Sequence, residues 1–254
     1  MSRFAFLEGP TPIAFAHRGG DEVAPENTSR AFGAAVALGF DYLETDVHVT
    51  RDGCLVAFHD DVLDRVTTST GTVAGMSIDE LAHVRIAGTD PVPTFDELLE
   101  EFPDVRWNVD AKSDDAVVAL VRALLRHRAT DRVNVGAFSG RRLARLRELL
   151  GPGTCTTASP REVAVLAAVS RMGRRRSRTA APYGCLQVPV SHKGVTLVTE
   201  AFIDAAHRRG AQVHVWTIDD PTEMHRLLDL GVDGIMTDRP SVLREVLVQR
   251  GQWC

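Results

Sequence analysis

Short apolar stretches with the character of β-strands alternate with amphipathic helical patterns along nearly the whole chain. The predicted strands are Ile13 to His17, Tyr42 to Val49, Leu55 to His59, Val105 to Lys112, Arg132 to Phe138, Gly153 to Ala158, Cys185 to Val190, Gln212 to Ile218 and Gly234 to Asp238. The clearest helices begin at Asp115, Arg141, Glu200 and Pro221, and several end at a glycine. Strands that alternate with helices predict a parallel sheet.

A chain of 254 residues has room for eight strand-helix units, the number that closes a (β/α)8 TIM barrel. A doubly wound open sheet is the other common arrangement, but it usually carries a glycine-rich nucleotide loop, which this sequence lacks. Leu55 to His59 is then the return strand of a hairpin on the second strand, with Arg51 to Gly53 as its turn. No linker or internal repeat divides the chain, so we predict one α/β domain over residues 1–254.

The second predicted strand carries charge where a barrel strand should be buried. Glu44, Asp46 and His48 are two residues apart, so an extended strand places all three side chains on one face, while the other face is mainly apolar. Burying such a charged row is costly unless something compensates it, and a bound cation is the usual solution for paired carboxylates. The pattern therefore predicts a metal site.

Other polar residues stand at or near the ends of the remaining predicted strands, where a barrel places its chemistry. They are His17, Asp110, Lys112, Trp216 and Asp238. Glu44, Asp46 and Asp110 supply hard oxygen ligands that suit Mg²⁺ or Ca²⁺ rather than zinc. Lys112 and Arg18 add positive charge for an anion such as a phosphate group, and histidines can transfer protons near neutral pH. This combination indicates phosphodiester cleavage.

At these residues the sequence resembles the glycerophosphodiester phosphodiesterase family. The likeness spans nearly the whole chain in order and includes HRGG at His17, PENT at Pro25, LETDVHVTRDGCLVAFHDDVLDRVT from Leu43, VPTFDELLE from Val92, VDAK at Val109, VHVWTIDD from Val213 and the closing GVDGIMTDRP. The resemblance implies a (β/α)8 barrel, a divalent metal, and hydrolysis of glycerophosphodiesters to glycerol 3-phosphate and an alcohol.

Carried over by position, the resemblance also implies roles for individual residues. His17 and His59 look like the acid-base pair, with the order of acid and base left open. Glu44 and Asp46 look like metal ligands. Arg18 and Lys112 look like contacts for the phosphate.

Two positions depart from the commonest family pattern. Asp110 stands where many members have glutamate, which makes the chain similar there to the spider-venom-type phospholipase D enzymes, whose third metal ligand is aspartate. Asp219 stands where asparagine is frequent. The segment from Asp61 to Val92 resembles the small insertion that caps the site in this family, and its shortness argues against a deep lipid-binding cap.

Several residues have both a structural and a functional interpretation. Glu26 and Asn27 of PENT could cap the helix that follows or contribute to an anion site at its N-terminus. Trp216 could be a core residue or a wall for the glycerol or alcohol. The other histidines of the chain are interpreted as structural, and the basic run from Arg171 to Arg178 as a solvated loop.

Alternative functions on the same barrel are a lysophospholipase D acting on lysolipids and, from another class, a non-catalytic barrel that binds a phosphorylated ligand. The net charge of −5 argues against general nucleic-acid binding. No apolar run is long enough for a membrane span, so we expect no stable membrane insertion and a cytoplasmic location. Cys54, Cys155, Cys185 and Cys254 lie far apart and predict reduced, structural thiols. The oligomeric state is left open.

Overall fold

Parallel strands form a barrel in the computed structural model, which describes residues 3–172 and 180–253. The barrel strands are β1 (Ile13–His17), β2 (Tyr42–Val49), β3 (Arg106–Ala111), β4 (Val133–Gly136), β5 (Cys155–Thr156), β6 (Cys185–Val188), β7 (Gln212–Val215) and β8 (Gly234–Thr237). Their order is β5-β4-β3-β2-β1-β8-β7-β6. A parallel bridge between Thr157 and Cys185 links β5 to β6, so the ring is nearly closed and the predicted (β/α)8 barrel is confirmed.

Helices surround the strands and return the chain to the start of each next strand. They are Ser29–Ala37, Phe95–Glu101, Asp114–Arg126, Gly140–Leu150, Pro160–Arg171, Glu200–His207, Pro221–Leu230 and Pro240–Gln249. Serine, threonine or aspartate caps most of their N-termini; Ser159, for example, accepts a hydrogen bond from the backbone of Glu162 and forms a full capping box with it. These local signals explain why the helices begin within one residue of the predicted positions at Asp115, Arg141, Glu200 and Pro221.

Two apolar layers hold the barrel together. Between strands and helices, the fully buried Trp107 packs its indole against the rings of Phe32, Phe95 and Phe102 at centroid distances of 5.0, 5.8 and 6.2 Å. Inside the barrel, a separate cluster fills the end where the strands begin; its members are Phe4, Phe6, Leu7, Ile13, Phe15, Tyr42, Cys155 and Met236. The polar groups inside the barrel are thus concentrated above this aromatic floor.

The segment predicted as an insertion has its own small core. The strand Leu55–Ala57 pairs antiparallel with β2, as predicted for the hairpin. Beyond it come a helical turn at Ile78–Leu81, a 3-10 turn at Val73–Gly75 and a short hairpin of Arg85–Ile86 with Asp90–Pro91. Their apolar side chains pack together as Val56, Phe58, Leu63, Val73, Leu81, Val84, Ile86 and Val92. The insertion is therefore a compact addition to one side of the barrel mouth.

Some predicted boundaries were wrong. The strand predicted to reach Ile218 ends at Val215, and the one predicted from Gly153 to Ala158 is only Cys155–Thr156. In the first case the remaining residues, which include Trp216, begin the loop after the strand. The helix after PENT begins at Ser29, and its N-cap is Thr28 rather than Asn27. Asn27 has a φ of 57°, whereas an N-cap residue needs an extended backbone.

Two predictions concern residues that the structure describes only in part. Cys54, Cys155 and Cys185 are free thiols, while Cys254 lies outside the described residues. Positions 173–178 of the basic run also lie outside them.

Within the part of the chain that the structure describes, no helix is both long and apolar enough to cross a membrane. The single-domain assignment stays a prediction.

Trp107→Ala should lower the free energy of unfolding by about 3–5 kcal/mol, because it removes a large, fully buried ring and leaves a cavity among three phenylalanines. Urea denaturation of the purified variant measures this loss. Leu125→Ala is the control, since this residue is 58% exposed on a helix and should change stability by at most about 0.5 kcal/mol. Equal losses in the two variants would contradict the proposed packing.

Candidate active site

The carboxyl ends of β1, β2 and β3 bring the predicted catalytic groups together. In the sheet register His17 on β1 stands beside Glu44 on β2, and Asp46 stands beside Asp110 on β3. Because side chains alternate along a strand, these residues share the inner face of the barrel. Lys112 follows β3 directly and belongs to the same group.

The HRGG loop turns sharply at the end of β1 to place Arg18 over the mouth. Arg18, Gly19 and Gly20 have successive φ values of 54°, 84° and 83°. A β-carbon on Gly20 would come within 2.5 Å of Pro240 Cδ, so only glycine fits. The Arg18 backbone N–H donates to both the backbone oxygen and the Oε2 carboxylate oxygen of Glu44, at 3.0 and 3.2 Å. The turn is therefore locked against β2.

His17 lies between two carboxylates. Its Nδ1 is 2.6 Å from Asp238 Oδ1, and its Nε2 is 3.7 Å from Glu44 Oε2. Burial alone would lower the pKa of His17, but the Glu44 and Asp238 carboxylates outweigh it and raise that pKa above its ordinary value. A histidine in this position can hold a proton near neutral pH.

Asp238 is itself held by a residue that the sequence interpretation set aside. Asp219 Oδ1 accepts hydrogen bonds of 2.8 Å from both the Thr237 hydroxyl and the Asp238 backbone N–H. One side-chain oxygen of Asp219 thus makes both contacts. Asp238 was noted at a strand end but not assigned a role, because its partnership with His17 spans 221 residues of sequence.

His59 stands on the loop after the hairpin strand. Its Nδ1 makes a hydrogen bond with Asp60 Oδ1, and its backbone oxygen lies 3.0 Å from Nε2 of His48. Arg65 donates from Nε to Asp60 Oδ2 at 2.6 Å. Hydrogen bonds from Arg65 and His59 lower the pKa of Asp60 to about 2, which keeps it ionised. His48, interpreted as structural, thus supports the His59 loop.

Lys112 bridges two of the three predicted metal ligands. Its ammonium lies 2.7 Å from Asp46 Oδ1 and 2.9 Å from Asp110 Oδ2. Burial opposes the charge on Asp46, but Lys112 and Arg18 hold the pKa of Asp46 below its ordinary value. Burial instead raises the pKa of Asp110, although Lys112 partly opposes the shift. Burial and the Asp46 charge raise the pKa of Glu44 to about 7.

Arg18 connects this acidic group to the PENT segment. Arg18 Nη1 donates to Glu26 Oε1 at 3.1 Å, and Arg18 Nε lies 3.0 Å from Asp46 Oδ2 without the alignment of a hydrogen bond. Asn27 is buried, and its Oδ1 accepts a hydrogen bond of 2.7 Å from the Thr45 hydroxyl. Glu26 therefore faces the mouth, whereas Asn27 fastens the PENT segment to β2.

Two aromatic rings stand beside Lys112. Trp216 is partly buried, and its ring meets the ring of Phe138 edge-on at 6.1 Å. Phe138 is 66% exposed, and the Lys112 ammonium lies 5.7 Å from its ring centre. Phe138 was missed from sequence because a lone phenylalanine at the end of an apolar strand gives no signal of exposure.

A divalent ion fits the chemistry of this acidic group, although the side chains are not arranged around one. Within residues 3–172 and 180–253, no group of three or more His, Cys, Asp or Glu side chains could hold a metal ion as placed. The reason is that the carboxylates of Asp46 and Asp110 both contact the Lys112 ammonium. Asp46 Oδ2 is nevertheless buried without a hydrogen bond, and Glu44 lacks a full counter-charge. A hard cation would satisfy both carboxylates.

Carboxylate-bound histidines, buried acids and cations at the mouth of a parallel barrel are groups that phosphodiester cleavage can use. The family model described as "Glycerophosphoryl diester phosphodiesterase family" matches residues 17–242. The chain belongs to this family and is an enzyme that hydrolyses glycerophosphodiesters. Members of the family generally depend on a divalent metal.

Individual relatives agree with this assignment. The Mycobacterium tuberculosis protein named "Probable glycerophosphodiester phosphodiesterase 2" is 38% identical over 251 residues, which cover 98% of this chain and 95% of the relative. A crystal structure from Silicibacter pomeroyi superposes with a TM-score of 0.81 at 24% identity, covering 99% of this chain and 100% of the other. An Oleispira antarctica phosphodiesterase, solved with the product sn-glycerol-3-phosphate, gives a TM-score of 0.76 at 22% identity, covering 98% and 100%.

Gly20→Ala should impair both stability and turnover, because the added methyl group would collide with Pro240 in a backbone conformation already unfavourable for alanine. Gly53→Ala is a matched control: its φ of 88° is similar, but nothing lies within 4 Å of the added carbon. We expect about 1–2 kcal/mol of destabilisation at Gly53 from the backbone conformation alone. Gly20→Ala should cost about 1–3 kcal/mol more from the collision.

Denaturant melts and kcat/KM for both variants measure these effects. Activity should fall only in Gly20→Ala, since His17 and Arg18 lie on the same turn. If both substitutions had equal effects, contact with Pro240 would not be what holds the HRGG turn.

Proposed function

We propose that the hydrolysis uses His17 and His59 as an acid-base pair, with Asp238 and Asp60 holding their Nδ1 atoms. The paired arrangement supports the proposal best: one histidine ends β1, the other follows the hairpin strand of β2, and each has a carboxylate at Nδ1. A carboxylate that accepts the Nδ1–H fixes the tautomer and leaves Nε2 for proton transfer. Which histidine is acid and which is base stays open.

The proton steps follow from what phosphodiester cleavage requires. One imidazole accepts the proton of the attacking oxygen, and the other donates a proton to the departing alcohol oxygen. After turnover each must return to its starting state, and Asp238 and Asp60 keep both rings oriented throughout. The attacking oxygen belongs either to water or to the substrate's own hydroxyl, in which case a cyclic phosphate forms first.

Arg18 and Lys112 are proposed to bind the nonbridging phosphate oxygens. In the structure both cations neutralise Asp46, so they are already held at the mouth before substrate arrives. Preorganised cations stabilise the charge that develops on phosphate without reorganisation during the reaction. Glu26 supports Arg18 through their ion pair.

Two further substrate contacts from the sequence stay predictions. Trp216 is proposed as an aromatic wall for the glycerol or the alcohol, and its partly buried ring beside the mouth supports this role. Asn27 is 1% exposed and bound to Thr45, which supports a part in shaping the loop rather than touching the substrate.

A divalent ion is proposed at Glu44, Asp46 and Asp110, with Mg²⁺ and Ca²⁺ as the candidates. When bound, such an ion supplies Lewis-acid charge to the phosphoryl group. Two observations support this location: Asp46 Oδ2 is buried without a hydrogen bond, and burial and the Asp46 charge raise the pKa of Glu44 to about 7.

Deacylated glycerophosphodiesters are the proposed substrates, with lysolipids as the alternative. The insertion beside the mouth turns its apolar side chains inward to its own core, which argues against a lipid trough formed by that segment. Both histidines and all three carboxylates are present, which argues against the non-catalytic alternative. A cytoplasmic location also stays a proposal.

Removal of divalent ions should abolish turnover of glycerophosphocholine, and added Mg²⁺ or Ca²⁺ should restore it, because the buried carboxylates need a counter-charge. The same ions should raise the melting temperature of wild-type protein, since a ligand that binds only the folded state stabilises it. Glu44→Gln should lose both the activity and the thermal response. Full activity after chelation, checked by elemental analysis, would exclude the metal.

His17→Ala and His59→Ala should each lower kcat/KM for a natural diester about a hundredfold or more, the usual scale of acid-base catalysis. A nitrophenyl diester needs little protonation of its leaving group, so it should restore the rate of the variant without the acid far more than the other. Comparing both substrates in both variants assigns the roles. Wild-type rates in both variants would exclude the two-histidine mechanism.

A further inference from the structure

Arg65 lies on the insertion, outside the barrel, yet it binds the carboxylates of two different segments at the mouth. Its Nε and Nη2 donate to Asp60 Oδ2 and Oδ1 at 2.6 and 3.3 Å. Its Nη1 and Nη2 donate to Glu26 Oε2 and Oε1 at 3.0 and 2.6 Å. One guanidinium thus joins the loop that carries His59 to the PENT segment.

Glu26 is a firm anchor for this contact. Its Oε1 also accepts from Arg18 Nη1, and the next residue, Asn27, donates its backbone N–H to the Arg18 backbone oxygen at 2.8 Å. Asn27 in turn accepts from Thr45 on β2. The position of Glu26 is therefore set by the barrel itself rather than by the insertion.

Asp60, the other carboxylate bound by Arg65, has few contacts that could orient it. Its carboxylate touches His59 Nδ1 on one side and Arg65 on the other. His48 holds the backbone of His59, through the His59 oxygen, but not its ring. The direction of the imidazole consequently depends on Asp60, and the direction of Asp60 depends on Arg65.

We propose that Arg65 is a positioning residue for the phosphodiesterase reaction, which fixes the His59 ring by holding Asp60 against the anchor at Glu26. The inference rests on the proposed acid-base role of His59 and extends it to a residue that touches neither substrate nor metal. Arginine suits the task because its planar fork binds two carboxylates in fixed directions, which a lysine ammonium cannot do.

Because Arg65 is largely exposed, a role in positioning His59 can be distinguished from a role in stabilising the fold. Its side chain is 46% exposed, and ion pairs at such positions contribute little to folding. Replacing it should therefore change geometry at His59 without unfolding the insertion.

Arg65→Met should lower kcat for glycerophosphocholine about tenfold, with KM changed less than about twofold, because catalysis rather than binding loses its alignment. Arg51→Met is the matched control: Arg51 binds Glu80 and the Gly75 backbone of the same insertion, and its side chain is 57% exposed, but it makes no contact with Asp60 or Glu26. The control should keep wild-type kcat, and both variants should melt close to the wild type. Arg65→Lys keeps the charge and loses the fork, so it should restore only part of the rate.

A double-mutant cycle shows whether Arg65 acts through His59. In a His59→Ala background there is no ring left to orient, so Arg65→Met should cost less than about threefold there. Arg65→Met should also shift the ratio of nitrophenyl-diester to natural-diester rates in the same direction as His59→Ala.

The outcomes separate this inference from the mechanism on which it rests. Loss of activity in His59→Ala, together with additive effects of Arg65→Met or full recovery in Arg65→Lys, would overturn the positioning role alone. Wild-type activity in His59→Ala would overturn the acid-base proposal and the positioning role together. A melting temperature lowered far more in Arg65→Met than in Arg51→Met would show that Arg65 serves folding instead.

Discussion

Buried negative charge at the barrel mouth is the constraint around which the site is arranged. Glu44, Asp46 and Asp110 are held inside a sheet where an unpaired carboxylate would be costly. Lys112 and Arg18 offset Asp46, but Glu44 is left with a pKa of about 7. Burial of Glu44 beside Asp46 therefore favours a proton or a bound cation at this carboxylate.

Loop residues orient the two histidines proposed as the acid-base pair. His17 and His59 follow the same plan, each with a carboxylate at Nδ1. Asp219 holds the segment of Asp238, which holds His17, and Arg65 holds Asp60, which holds His59. A barrel can keep its strands unchanged while such loop residues adjust the direction of an imidazole, which explains why loops of this fold carry so much of its chemistry.

Sequence alone predicted the elements whose signals are local. Ile13–His17 and Tyr42–Val49 have the predicted bounds because the short apolar run of the first and the alternating charged residues of the second are visible within a single strand. The contacts of Asp238 and Arg65 could not be predicted in this way, because Asp238 meets His17 across 221 residues of sequence and Arg65 meets Glu26 across 39. Capping by Asn27, one of the two interpretations of this residue, was wrong because its backbone is left-handed, and its contact with Thr45 on β2 is not visible in the sequence.

The aromatic floor of the barrel determines how substrate enters and how products leave. Phe6, Phe15 and Tyr42 pack against one another with ring centres 5.2 to 6.4 Å apart and fill the end opposite the site. Nothing can pass through the barrel, so the diester, the departing alcohol and glycerol 3-phosphate all use the same opening. Both products must therefore leave through the opening by which the substrate entered. A new substrate cannot bind until the last product has left.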